Sequence, residues 1–115
     1  NSSDWCFASI EKVKKNLKKT KYPIKLLKFI KGPVEETLMQ HKPKKISILR
    51  LDTDWYSSTK KELEILYPKL VKNGVIIIDD YGHWEGCRKA CDEYFKNKKI
   101  LLHRIDYTCR IGIKT

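Results

Sequence analysis

Apolar and polar positions in the first third of the chain follow the periods of a helix, a strand and a second helix. Apolar residues at helical spacing predict a helix over Ile10–Lys19, and Ser9 stands where it can cap that helix. An apolar-rich segment over Ile24–Ile30 predicts a strand that ends at Gly32-Pro33. Val34–Gln40 then predicts a short helix.

The middle third predicts a strand, a helix and a second strand. Ile46–Leu51 is the first of these strands, and the hydroxyl side chains of Ser57–Thr59 can cap the helix that follows. Asn73-Gly74 ends this helix. Val75–Ile78 is apolar at every position, which is typical of a parallel strand covered on both faces. The expected core stripe of the helix consists of Leu63, Leu66, Tyr67 and Leu70.

The last third predicts one helix and two strands. The strands, Ile100–Asp106 and Arg110–Lys114, are joined by a tight turn at Tyr107–Cys109. Alternation of strands and helices that ends in a hairpin predicts an α/β fold, whose sheet is mostly parallel with a carboxyl-terminal antiparallel hairpin. The helix places its apolar side chains on one face, where we expect Cys87, Ala90, Cys91, Tyr94 and Phe95 in the core.

Length and composition favour one small domain without a membrane segment. With 115 residues and 41% apolar side chains, the chain can bury one modest core. The longest purely aliphatic run, Val75–Ile78, is far shorter than a bilayer span, and no apolar stretch of signal-peptide type opens the chain. We therefore expect a soluble, cytoplasmic protein with no membrane partner. Its four irregularly spaced cysteines are expected to stay reduced: Cys6, Cys87, Cys91 and Cys109.

The formal net charge of +11 would ordinarily indicate a nucleic-acid or anionic membrane partner. However, only four of the 25 basic residues are Arg, whereas duplex recognition favours the bidentate fork of Arg. The lysines are scattered over every segment, and those of Lys12–Lys19 mostly lie opposite the apolar stripe of the first helix. We therefore expect a solvated basic surface and no nucleic-acid partner.

Carboxylates follow two of the predicted strands. Asp52 and Asp54 come after the first strand, and Asp79-Asp80 end the second. If these strands are neighbours about 4.8 Å apart, the negative charges crowd into one small volume and favour a positive partner. Oxygen ligands without a suitable His or Cys indicate a hard cation, such as Mg²⁺, Mn²⁺ or Ca²⁺. The alternative is that these residues cap helices or pair with nearby lysines.

The segments around these carboxylates carry a more specific signal. Leu49–Thr59, Leu66–Pro68 and Gly74–Trp84 resemble the macrocin O-methyltransferase family, and the similarity continues through Asp92–Phe95 and Leu102–Thr108. The resemblance implies part of a Rossmann-like class I methyltransferase sheet. It also implies an enzyme that uses S-adenosylmethionine and Mg²⁺, or another hard divalent cation, to methylate a hydroxyl of a small-molecule acceptor, usually a sugar of a natural product.

The resemblance also assigns roles to individual residues. Asp52, Asp79 and Asp80 would be the metal ligands, and Asp54 would be the general base. This division is chemically reasonable because a sugar hydroxyl holds its proton tightly near neutral pH. A cation that stabilises the developing alkoxide and a carboxylate within about 3 Å that accepts the proton both act on the acceptor.

Other side chains are candidates for the cofactor and acceptor sites. Trp55 and Tyr56 could line an acceptor pocket or pack against the helix that they precede, and His83 could contact the acceptor or serve in packing. By the resemblance, the segment that would form a cofactor wall near the adenine consists of Gly32, Pro33 and Val34.

The chain departs from the family pattern at two places. Cys109 stands in a turn where the family usually has Gly, so that a positive φ there would be strained. No Gly-rich strand-to-helix loop precedes residue 10, and the chain begins without Met. We therefore expect residues 1–115 to be the carboxyl-terminal part of a single methyltransferase domain, with the amino-terminal cofactor-binding segment absent and no tight cofactor binding or turnover by this part alone. Direct pairing of strands 24–30 and 46–51, or association with another copy, is then expected.

Three rival functions are weighed against these patterns. A haloacid-dehalogenase-type phosphatase also uses Asp-x-Asp and Asp-Asp, but only 26 residues separate Asp52 from Asp79, too few for its phosphate-binding elements. A metal-dependent glycosyltransferase would need a nucleotide-binding region that the sequence does not contain. A non-catalytic basic α/β module that binds nucleic acid or a partner chain stays open as an alternative.

Overall fold

The computed structural model describes residues 8–115, so that Cys6 lies outside the described residues. The chain divides into two compact units, Asn1–Ile30 and Lys31–Thr115. Within residues 8–115, every helix is too short or too polar to span a bilayer.

The described part of the first unit, residues 8–30, contains one α-helix and one turn of 3₁₀-helix. Helix α1 spans Ile10–Lys18, and the Ser9 hydroxyl oxygen accepts a hydrogen bond from the Lys12 amide at 3.2 Å, which confirms the expected cap. The strand predicted over 24–30 is wrong, because Ile24–Leu26 forms a 3₁₀-helix after Pro23. Ile24 and Leu26 are 52% and 61% exposed, and local hydrogen bonds replace the pairing that a strand would need.

The second unit is built on a four-stranded sheet with the order β1-β2-β4-β3. Strand β1 is Ile46–Leu51, β2 is Leu70–Ile78, β3 is His103–Arg104 and β4 is Arg110–Ile113. β1 and β2 are parallel, whereas the β2–β4 and β3–β4 pairs are antiparallel. The α/β class and the carboxyl-terminal hairpin are therefore confirmed.

The sheet is mixed rather than mostly parallel, because residues 24–30 supply no parallel strand. The expected direct pairing of 24–30 with 46–51 is wrong for the same reason, and β1 pairs with β2. Both hairpin strands are shorter than predicted. Asp106 accepts hydrogen bonds from the amides of Thr108 and Cys109 in the turn. The φ of Cys109 is not positive, so the steric cost expected there does not arise.

Helices α2 (Val34–Thr37), α3 (Tyr56–Leu66) and α4 (Glu85–Phe95) accompany the sheet. The predicted caps of α3 are wrong, because Ser57–Thr59 lie inside its first turn and Trp55 occupies the N-cap position without a side-chain bond. The Ser58 hydroxyl does not accept a hydrogen bond as a cap. It donates to the backbone carbonyl oxygens of Thr53 and Trp55, which precede the helix.

Strand β2 begins five residues earlier than the apolar run Val75–Ile78 predicts. Tyr67–Lys69 forms a 3₁₀-helix after α3, and the chain enters the sheet at Leu70. The register shifts between the pairs Ile46–Leu70 and Ile48–Val75, and Asn73 with a φ of 68° lies in this irregular part. The run itself alternates between buried and half-buried side chains, so the expected coverage of both faces is incomplete in the described residues.

The core of the second unit lies between the sheet and the helices α3 and α4. Ile76 and Ile78 of β2 are fully buried there, together with Leu63 of α3. The predicted stripe residues are therefore buried, including the two cysteines of α4, except Tyr94, which is half-buried. The predicted end of the helix at Asn73-Gly74 is wrong, because α3 ends at Leu66 and Leu70 already belongs to β2. The buried core side chains on the helices and the segment after α3 are Leu63, Leu66, Tyr67, Leu70, Cys87, Ala90, Cys91 and Phe95.

The packing predicts a large difference between two Leu→Ala substitutions. Leu63 is 0% exposed and Leu101 is 70% exposed. Leu63→Ala should lower the free energy of unfolding by about 2–5 kcal/mol because it leaves a cavity. Leu101→Ala should change it by about 0.5 kcal/mol or less. Urea denaturation of both variants measures this, and equal losses would contradict the core described here.

Candidate functional site

The parallel pairing of β1 and β2 brings the ends of the two strands to the same edge of the sheet. Leu51 and Ile78, the last residues of the strands, are register partners. The amide of Asp79 donates to the carbonyl oxygen of Leu51 at 3.0 Å, so the pairing continues one residue past both strands. Asp52 and Asp79 therefore leave the sheet side by side.

Three carboxylates lie close together beyond this edge. One carboxylate oxygen from each of Asp52, Asp54 and Asp80 lies within 4.8 Å of the other two. Asp54 and Asp80 are half-buried, and Asp52 is exposed. We call these three residues the carboxylate cluster. The separation is short enough for one cation to contact all three groups.

Asp79 lies at the side of this cluster, next to Asp52. The Arg50 guanidinium bridges the two residues, with Nη2 at 3.0 Å from Asp52 Oδ2 and 3.5 Å from Asp79 Oδ2. A hydrogen bond to the Asp52 carboxyl raises the pKa of Asp79 above its ordinary value, although Arg50 acts in the opposite direction. All four sequence-predicted carboxylates are therefore grouped, and Arg50 offsets part of their charge.

Asp80 is the member of the cluster whose pKa is strongly raised. Burial raises its pKa to about 8, and hydrogen bonding to the carboxyls of Asp54 and Asp52 adds to the shift. Its Oδ2 atom is buried and has no hydrogen-bond partner within the described residues. A buried carboxylate oxygen without a partner is costly, and a hard cation would satisfy it. The donor set, which is entirely oxygen, fits Mg²⁺.

The turn that carries Asp54 is strained. Asp54 has a φ of 67°, and the Trp55 amide donates to the Thr53 carbonyl oxygen at 2.7 Å. Such a hydrogen bond closes a three-residue γ-turn centred on Asp54, and the form with positive φ is rare. Strain of this kind persists only where the surrounding structure holds the turn in place.

Glu62 is a site residue that the sequence analysis missed. It lies on the core-facing side of α3 and is 3% exposed, and its Oε1 accepts a hydrogen bond from the Thr53 hydroxyl. Burial raises the pKa of Glu62 to about 7. The sequence feature that could have identified Glu62 is an acidic residue next to Leu63 on the predicted core face of the helix, where an apolar residue is expected.

Aromatic side chains adjoin the cluster. Trp55 and Trp84 have ring centroids 5.1 Å apart, and the ring of His83 packs edge-on against Trp84 at 4.7 Å. His83 Nδ1 lies 3.4 Å from the Tyr107 hydroxyl. Gly82 allows the Tyr107 backbone to approach this loop, because a Cβ at position 82 would lie 1.7 Å from the Tyr107 carbonyl oxygen. Trp84 and Tyr107 were not among the predicted site residues.

The remaining predicted residues lie around α2 and α3. The hydroxyl of Tyr56 donates to Glu93 on α4 at 2.7 Å, so that this ring is engaged by the neighbouring helix. Gly32, with a φ of 134°, and Pro33 lead into α2, while the Val34 side chain packs against the core. A hydrogen bond of 3.1 Å from the Ser57 hydroxyl to Glu35 joins α2 to the start of α3.

Comparisons with known proteins agree with one another. The family model for Macrocin-O-methyltransferase (TylF) matches residues 2–111. The chain is 35% identical over 86 residues to demethyldecarbamoylnovobiocin O-methyltransferase of Streptomyces niveus, which covers 75% of this chain and 33% of that protein. It is 34% identical over 85 residues to 8-demethyl-8-(2,3-dimethoxy-alpha-L-rhamnosyl)-tetracenomycin-C 4'-O-methyltransferase of Streptomyces olivaceus, covering 74% of this chain and 32% of that protein.

The fold is similar to a solved methyltransferase. The structure of the O-methyltransferase NovP superposes with a TM-score of 0.87 and 31% sequence identity, over 93% of this chain and 45% of that chain. The chain thus spans about a third of the length of the two curated relatives and less than half of NovP.

The raised pKa values predict that the fold becomes less stable as pH rises. The pKa of Asp80 is raised from 3.8 to about 8 and that of Glu62 from 4.5 to about 7, so between these limits the folded chain holds protons that the unfolded chain has released. The free energy of unfolding should therefore fall from about pH 4 to pH 8 in the presence of EDTA.

Urea denaturation at several pH values measures this slope. Asp80→Asn and Glu62→Gln should each flatten it, whereas Glu64→Gln, at an exposed position of the same helix as Glu62, serves as the control. Stability that is constant or increasing over this range would contradict the electrostatics of the site.

Proposed function

Because the chain belongs to the macrocin-O-methyltransferase family, we propose that it forms part of an enzyme that transfers a methyl group from S-adenosylmethionine to a hydroxyl of a sugar or natural-product glycoside. The names of the relatives support this chemistry, since all three describe O-methyltransferases. The chain spans about a third of the curated relatives' length, so the activity is proposed for the whole protein. The observation that carries the proposal is the carboxylate cluster, in which a buried oxygen of Asp80 has no hydrogen-bond partner among residues 8–115.

The proposed metal ligands are Asp52, Asp79 and Asp80. Asp52 and Asp80 belong to the carboxylate cluster, and Asp79 leaves the sheet beside Asp52 and shares the Arg50 guanidinium with it. Mg²⁺ bound there would supply a positive charge that stabilises the developing negative charge on the acceptor oxygen. The raised pKa of Asp80 fits this role, because its causes, burial first and then the neighbouring carboxyls of Asp54 and Asp52, are ones that a bound cation would offset.

Asp54 is the proposed general base. One of its carboxylate oxygens lies within 4.8 Å of an oxygen of Asp52 and of Asp80, so Asp54 would lie close to an acceptor oxygen bound to a cation at those residues. A base must lie within hydrogen-bond distance of the proton that it accepts. The positive φ of Asp54 points to a side chain whose direction is fixed by the turn.

The proposed acceptor wall combines Trp55 and His83 with Trp84 and Tyr107. Trp55 directly follows the base, and the four rings form a continuous series of contacts beside the cluster. Apolar ring faces suit the C–H face of a sugar, while the His83 nitrogen and the Tyr107 hydroxyl offer polar contacts. Tyr56 contributes to this wall only through its backbone position next to Trp55, since its hydroxyl is engaged with Glu93.

The proposed cofactor contact is the segment Gly32, Pro33 and Val34 at the start of α2. S-adenosylmethionine would supply an activated methyl group, so the protein has to orient the methyl carbon against the acceptor oxygen. The join between α2 and α3 through Glu35 and Ser57 supports this placement, because it ties the segment to the helix that follows Asp54.

Divalent metal is expected to stabilise the chain. Millimolar Mg²⁺ or Mn²⁺ should raise the melting temperature by several degrees, since a ligand present at about 100 times its dissociation constant contributes about 2.7 kcal/mol. Asp80→Asn and Asp79→Asn should abolish the shift, whereas Asp92→Asn, which removes a carboxylate from α4, should keep it. Thermal melts with metal and with EDTA measure this. A wild-type chain without a shift would contradict the metal site.

Substitutions of Asp54 and Asp79 are expected to have different effects, because Asp54 is the proposed base and Asp79 a proposed metal ligand. Asp54→Asn should retain Mn²⁺ affinity within about threefold but lower the turnover of the whole protein by about 10²–10⁴, because it removes a base and not a ligand. Asp79→Asn should lose metal affinity. Calorimetry with Mn²⁺ and a methyl-transfer assay measure the two effects. Loss of Mn²⁺ binding in Asp54→Asn, with binding retained in Asp79→Asn, would instead make Asp54 the third ligand.

A further inference from the structure

Glu62 occupies a position at which a carboxylate is energetically costly. It is buried on the inner face of α3 beside Leu63 and Leu66, where an apolar side chain would be cheaper. The charges that act most strongly on it, those of Glu35 and Asp52, are negative and repel it. The hydrogen bond that Glu62 makes therefore has to offset part of this cost.

The contact that Glu62 makes is directed at the turn that carries the proposed base. The Thr53 hydroxyl donates to Glu62 Oε1. The carbonyl oxygen of the same Thr53 accepts from the Trp55 amide at 2.7 Å and from the Ser58 hydroxyl at 3.2 Å. Thr53 is therefore held at both its side chain and its backbone, directly between Asp52 and Asp54.

Anchoring Thr53 inward has a consequence for its two neighbours. The Thr53 side chain reaches Glu62 on α3, whereas the carboxylates on either side of it, those of Asp52 and Asp54, lie together in the carboxylate cluster. Both carboxylates meet Asp80 there. The strained φ of 67° at Asp54 needs such an anchor, because an unrestrained Asp would leave this region.

We propose that Glu62 and Thr53 form a positioning pair that holds Asp54 and Asp52 in the geometry needed at the metal and acceptor site. The proposal rests on the proposed function, and it adds a buried helix residue that does not touch metal or substrate. The pair acts through the Thr53 hydroxyl, so it requires an acceptor oxygen at position 62 rather than a negative charge.

Isosteric substitutions separate positioning from packing and from charge. Thr53→Val and Glu62→Leu remove the hydrogen bond, while Thr53→Ser and Glu62→Gln keep a hydroxyl and an acceptor oxygen. Ser57→Ala is the matched control, because it removes an exposed hydrogen bond at the start of the same helix. The chain of 115 residues is used throughout.

Two readouts are measured. Hydrogen exchange of the Trp55 amide, followed by NMR in EDTA, reports whether the turn around Asp54 is held without metal. Electron paramagnetic resonance titration with Mn²⁺ reports the affinity of the site. Thr53→Val and Glu62→Leu should speed the exchange and weaken Mn²⁺ binding about tenfold, as expected for groups that orient metal ligands. The double variant should be no weaker than either single one.

The conservative variants decide the mechanism. Thr53→Ser, Glu62→Gln and Ser57→Ala should stay within about twofold of the wild type in both readouts. If Glu62→Gln binds Mn²⁺ as weakly as Glu62→Leu does, the negative charge matters rather than the hydrogen bond, and the proposal is overturned. Unchanged amide exchange and unchanged Mn²⁺ affinity in Thr53→Val would also overturn it. A wild-type chain that binds no Mn²⁺, but shows the expected exchange pattern, would contradict the proposed function while supporting the positioning pair.

Discussion

The parallel pairing of β1 and β2 is the constraint on which the rest of the site depends. Because Leu51 and Ile78 are register partners, both strands end at the same level and release their acidic residues into one space. The hydrogen bond from the Asp79 amide to the Leu51 carbonyl fixes this alignment beyond the last paired residues. A shift of one residue would turn one set of carboxylates to the opposite face of the sheet.

That alignment places like charges together, and the protein balances them only in part. Arg50 bridges Asp52 and Asp79, while Asp80 is left with a buried oxygen that lacks a partner within residues 8–115. The strained turn at Asp54 and the buried carboxyl group of Glu62, both close to this cluster, also lower the stability of the fold. Several energetically unfavourable features close to one point are typical of a functional site, where the side-chain geometry is maintained although it lowers the stability of the fold.

Local patterns predicted the elements whose partners lie close by in the sequence. The strand at 46–51 and the core stripes of α3 and α4 follow from short-range periodicity, and the grouping of four Asp residues follows from two neighbouring parallel strands. Residues 24–30 have comparable apolar content but form no strand, because a strand also needs pairing that composition does not reveal. Tyr107 and Glu62 were missed because only the folded chain brings them to the site. Tyr107 comes from a turn distant in sequence, and Glu62 lies on the face of α3 that was predicted to be apolar.

The central claim is that a divalent cation belongs among these carboxylates, and crystals grown with Mn²⁺ test it most directly. Anomalous difference density recorded near the manganese edge should show one strong peak within bonding distance of Asp52 and Asp80, with Asp79 as the third protein ligand and Asp54 outside the coordination sphere. Absence of a peak at saturating Mn²⁺, or a peak bound elsewhere on the chain, would contradict the account.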